Sequence, residues 1–63
     1  MINDWELWAC AEHIAKHEGL RAEAFVHERI AALTKLEDAA GVATWRDIHT
    51  RLAAWVMASL RSN

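Results

Sequence analysis

A chain of 63 residues, 54% hydrophobic, with two glycines and no proline, has room for one small domain and the composition of a helical one, which excludes a disordered segment. Its formal net charge of −2 lacks the basic excess of a nucleic-acid binder, and no apolar run approaches the roughly 20 residues of a membrane span. One cysteine, Cys10, permits no internal disulfide, so packed helices have to supply the stability.

The N-terminal Met1-Ile2-Asn3-Asp4 lacks the basic-then-apolar plan of an export signal, and a cytoplasmic protein is expected. A first helix is predicted over about 4–18. Asn3 as N-cap and Glu6 three residues later form a capping-box pattern, with Ile2 and Leu7 placed for a hydrophobic staple. Leu7, Cys10, Ala11 and Ile14 make the inward stripe, flanked by Trp8 and Ala15, while Glu12 and Lys16 pair on the solvent side. Gly19 fits the position after a Schellman ending, with Leu20 folding back on Ile14 or Ala15.

A second helix is predicted over about 21–36. Ala22, Val26, Ile30 and Leu33 form its core stripe, with Phe25, Ala32 and Leu36 on the flank. Arg29 projects into the middle of that apolar sector. Three readings stay open for it: an apolar stem with the guanidinium reaching solvent, an ion pair with Asp47 or Glu6, or an anion site.

The third helix, over about 39–60, carries the main stripe. Val42, Trp45, Ile48, Leu52, Trp55, Val56 and Leu60 fall within a sector of roughly 140° at the helical pitch. Arg46, Asp47, Thr50 and Arg51 lie mostly opposite. Two N-caps compete, Asp38 and Thr44. Asp38 is preferred, because Ala39 and Ala40 are strong helix formers and the stripe begins at Val42. Gly41 then lies inside the first turn, where helices would approach closely, and Arg61-Ser62-Asn63 should fray.

Three stripes and short turns predict an all-α fold: a three-helix antiparallel bundle forming a single domain over residues 1–63, completed by self-association. The stripes are wider than three short helices can cover. Trp5 and Trp55 lie at stripe edges, Trp8 widens one stripe, and Met57 falls on the polar side, so these four are the expected interaction surface. Asn3, Glu6, Arg29, Asp38 and His49 are read as structural polar residues. His49 lies within the third stripe, where a core or interface histidine bonded to a backbone or carboxylate oxygen is the ordinary reading and a pH-sensitive interface the sharper one. His27 reads as a surface residue beside Glu23.

Chemistry-bearing patterns are sparse. Cys10, His13 and His17 at i, i+3 and i+7 share a sector of about 60° and are the metal candidates, though spacing alone supplies no further ligand. No glycine-rich phosphate loop and no nucleophile with an oxyanion site can be read, so no enzyme and no cofactor is expected. The leading reading is a non-catalytic protein–protein interaction module, pairing with itself as a homodimer or with another protein. Alternatives are a small metal-binding or metal-sensing protein and an accessory to a DNA-binding regulator. No membrane partner is expected.

Glu6-Leu7-Trp8-Ala9-Cys10-Ala11, Phe25, Glu28-Arg29-Ile30, Ala32-Leu33, Asp38, Ala40-Gly41-Val42, Trp45, Ile48 and Arg51-Leu52 together resemble a family of small uncharacterised bacterial helical proteins. The family pattern carries glycine before the aspartate, where this chain has Glu37. The resemblance spans most of the chain and implies an all-α fold and a cytoplasmic bacterial setting. It supplies no activity to carry over.

Overall fold

The computed structural model describes residues 3–61 and is all-α: α1 Asp4–Glu18, a 3₁₀ turn Gly19–Arg21, α2 Ala22–Lys35 and α3 Ala39–Arg61. Asn3 starts α1 as expected, its side-chain oxygen accepting from the Glu6 backbone N–H at 2.9 Å. The Ile2 half of the predicted staple, the leader reading at Met1-Ile2 and the fraying of Ser62 and Asn63 fall outside the described residues. Glu12 and Lys16 form their i,i+4 pair at 2.8 Å on the open side of α1.

α1 does not end in the Schellman turn predicted for Gly19. With φ 55° and ψ −124°, Gly19 is far from the left-handed helical well that such an ending needs. The chain runs straight on into the 3₁₀ turn, and Leu20 points into solvent instead of folding back on Ile14 or Ala15. α1 and α2 are thereby two limbs of one bent helical run, with α3 packed against both, so the three-helix description is approximate.

The Schellman geometry appears instead at the end of α2. The Asp38 N–H donates to the Leu33 carbonyl and the Glu37 N–H to the Thr34 carbonyl, both at 3.0 Å. Glu37 takes the left-handed position itself, at φ 56°. The next residue opens α3: the Asp38 side chain accepts from the Gly41 N–H at 2.9 Å and its carbonyl from the Val42 N–H at 3.0 Å. Asp38, not Thr44, is therefore the cap. Gly41 does lie in the first turn, yet no neighbouring helix crowds it. A Cβ there would sit 2.7 Å from the Asp38 carboxylate, so a side chain at this position would have to push the capping carboxylate aside.

Leu7, Ala11 and Ile14 of α1, Ala22 and Val26 of α2, and Ile48 and Leu52 of α3 form the core, with Cys10, Ala15, Phe25, Ile30 and Trp45 packed at its edge. Val26 is the largest side chain wholly shielded from water. Ile30 and Leu33, predicted core members, are only half-buried, and Leu36 is exposed. α3 runs about 35 Å at 1.5 Å per residue, and its buried residues stop at Leu52. Beyond them Val56, Met57 and Leu60 are exposed, so the stripe continues past the surface that covers it. Among the described residues no helix is long and apolar enough to cross a membrane.

Candidate functional site

Surface features, not an enclosed cleft, carry what this fold offers. The first is a groove where the bend between α1 and α2 meets the far half of α3, bordered by Leu20, Glu23, His49, Leu52, Val56 and Met57. Its apolar wall exists because α3 extends its stripe beyond the bend. Leu20 reaches it because the conformation of Gly19 turns the chain outward.

The second feature lies at one rim of that groove. Glu23 and His27 are four residues apart on α2, so they share a face, with the His27 Nε2 3.7 Å from the Glu23 Oε1. The packing of α2 on α3 brings His49 to the same place. The His27 and His49 rings lie 5.0 Å apart at an interplanar angle of 58°. One ligand-capable atom from each of Glu23, His27 and His49 falls within 4.8 Å of the others. His49 is half-buried and, among the described residues, has no hydrogen-bond partner on a backbone or carboxylate oxygen.

The residues predicted to bind metal are arranged differently. His13 and His17 stack on the open side of α1 with centroids 4.1 Å apart, while Cys10 is half-buried and borders an apolar groove with Phe25, Trp45 and Ile48. Cys10 thus turns toward the core as His17 stays in solvent, and the three do not converge as a ligand set among the described residues. Spacing along one helix does bring His13 beside His17 on α1. The Glu23–His27 spacing was visible, but its third member required the α2–α3 packing.

The predicted interaction residues belong to two helices, Trp5 and Trp8 to α1 and Trp55 and Met57 to α3. Trp5 is exposed near the start of α1, and Trp8 is partly covered by the Arg51 guanidinium 6.0 Å above its ring. Trp55 is half-buried, and Met57 belongs to the groove with Leu20 and Val56. Leu20, Leu36, Val56 and Leu60 join the exposed apolar set. Arg29 lies over the Trp45 ring at 5.5 Å and is in no ion pair with Asp47 or Glu6 among the described residues. The inter-helix ion pair is made by Arg51, a residue the helical wheel put on the polar side. Its Nε donates to the Asp4 carboxylate at 3.1 Å, its Nη2 to the same oxygen, and its Nη1 to the Asp47 carbonyl at 3.1 Å.

No curated protein and no solved structure matches the chain. A family model described as a family of unknown function, DUF6961, matches residues 3–59. That match covers nearly the whole chain, including every core residue and both helix caps, and the chain belongs to this family.

Proposed function

We propose that this protein is a non-catalytic helical module that docks with a second copy of itself in the cytoplasm, using the uncovered end of α3 and the bend beside it. The observation that carries this reading is the apolar stripe of α3 running past its cover: Val56 and Leu60 stand exposed four and eight residues on from buried Leu52, and exposed Met57 and Leu20 border the same groove as Val56. The chain exposes 4798 Å² at 7.2 kDa, against about 4,100 Å² for a compact monomer of that mass. Its radius of gyration of 11.9 Å likewise exceeds the approximately 10.6 Å of a compact chain of this length. A net charge of only −2 puts little repulsion between two copies.

A twofold pairing of this stripe would bury the same side chains from both partners. Sedimentation equilibrium across the micromolar to submillimolar range tests it. The parent should show a concentration-dependent dimer, and Met57→Lys with Leu60→Lys should shift it to monomer while leaving the helical circular dichroism intact. A parent that stays monomeric throughout, or a doubly substituted chain that dimerises equally well, refutes the reading.

A further inference from the structure

We propose that Glu23, His27 and His49 form a binding site for a divalent transition-metal ion of the zinc class, which ties α2 to α3. The inference is independent of docking between copies and goes beyond it.

The donor set is the first argument. Two imidazoles and one carboxylate are borderline ligands of the kind zinc, cobalt and nickel accept. Magnesium and calcium prefer all-oxygen cages, which this site does not offer. Geometry is the second. A tetrahedral zinc ion bound at about 2.0–2.1 Å sets its ligand atoms roughly 3.3 Å apart. The Glu23–His27 edge already stands at 3.7 Å, and all three donors lie within 4.8 Å. The remaining closure is small, and it falls on side chains free to make it: those of His27 and Glu23 are 60% and 74% exposed. His49 supplies the fixed point, being half-buried on α3.

Availability is the third argument. A histidine binds a metal through one ring nitrogen, and among the described residues no hydrogen bond to a backbone or carboxylate oxygen fixes either nitrogen of His49, so either one can face the ion while the other donates to water. The 58° tilt keeps the two rings from lying face to face as stacked aromatics. With three protein ligands, a tetrahedral ion keeps one position for water, which is the arrangement of open zinc sites. Because Glu23 and His27 belong to α2 and His49 to α3, a bound ion would cross-link two helices that are otherwise joined by packing and one short turn.

The test uses the full chain with Co²⁺ as a spectroscopic probe and Zn²⁺ as competitor and stabiliser. Expected are d–d absorption bands saturating at one Co²⁺ per chain at micromolar concentration and their displacement by Zn²⁺. Millimolar Mg²⁺ or Ca²⁺ should not displace them, and Zn²⁺ should raise the melting temperature. His27→Ala and Glu23→Ala, both at exposed positions, should keep the fold and weaken Co²⁺ binding at least about tenfold, a size seen even for losses outside the ligand set. His49→Gln should do the same, with circular dichroism as its folding control. Zn²⁺ should shift the ring nitrogen resonances of His27 and His49 and leave those of His13 and His17 in place. Binding only at millimolar metal overturns the proposal. So does binding unchanged in His27→Ala, or abolished by Cys10→Ser with His13→Ala.

Discussion

Glu37→Gly should stabilise the protein, although it removes a side chain and loosens the unfolded chain. Glu37 holds φ at 56° with its backbone N–H bonded to Thr34. A residue with a Cβ pays about 1–2 kcal/mol for the left-handed conformation. Glycine escapes that cost and loses about 0.5–1 kcal/mol through the extra freedom of the unfolded chain. The mid-points of the two ranges leave glycine ahead by about 0.75 kcal/mol. Charge does not reverse the sign. Glu37 stands between the carbonyl end of α2, where a carboxylate is unfavourable, and the amide end of α3, where it is favourable, so the two dipole effects oppose each other.

For a domain of this size a gain of 1 kcal/mol raises the melting temperature by about 4–8 °C, so the expected rise is about 3–6 °C. Urea and thermal melts followed by far-UV circular dichroism measure it, at one protein concentration throughout, since association also moves apparent stability. Glu37→Gln keeps the strain and removes the charge, and should melt with the parent. Glu37→Asn should fall between them, because asparagine tolerates this region better than other side chains. A glycine variant no more stable than the parent, or a glutamine variant that gains as much, would refute the argument.

Three further substitutions test the joints and the core. Asp38→Ala should cost about 1 kcal/mol as a lost cap. Gly41→Ala alone should change little, because a propensity gain of about 1 kcal/mol is offset by displacing the Asp38 carboxylate. In the Asp38→Ala background the same Gly41→Ala should stabilise, and an additive cycle would count against the crowding described here. Leu52→Ala should cost about 2–5 kcal/mol, most of what a 63-residue chain holds at roughly 0.05–0.15 kcal/mol per residue. Ile30→Ala, at a half-buried site, should cost visibly less; equal losses in urea melts would mean the core is misplaced. A double-mutant cycle on Asp4 and Arg51 should return about 0.2–1 kcal/mol that shrinks in high salt, because the Asp4 side chain is 71% exposed.

The helices and their starts were legible because their causes are local. Apolar spacing marked the faces of Leu7, Ile14, Val26, Ile48 and Leu52, and the short polar side chains of Asn3 and Asp38 marked the caps. What stayed hidden depends on partners far away in the chain or on backbone angles that residue type does not reveal. A glycine followed by leucine reads as a Schellman ending, yet Gly19 takes a ψ that only glycine tolerates and sends Leu20 outward. The true ending sits on a glutamate, the residue standing where the resembled family pattern has glycine. A helical wheel tells which side Arg51 leaves from, but its long stem reaches back across α3 to Asp4 on α1. The meeting of His27 with His49 is likewise a consequence of packing, and neither residue's own spacing could announce it.

The length of α3 past its cover also makes the molecule thermodynamically uneven. From Val56 to Arg61 each turn is sustained by its own backbone hydrogen bonds and helix propensity, with little side-chain burial behind it. In the monomer its amide protons should therefore trade with deuterium through local fraying, while those around Ile48 and Leu52 wait for the whole core to open. One continuous rod of helix thus contains two levels of protection, and the boundary between them falls just after Leu52, where the other two helices stop shielding it.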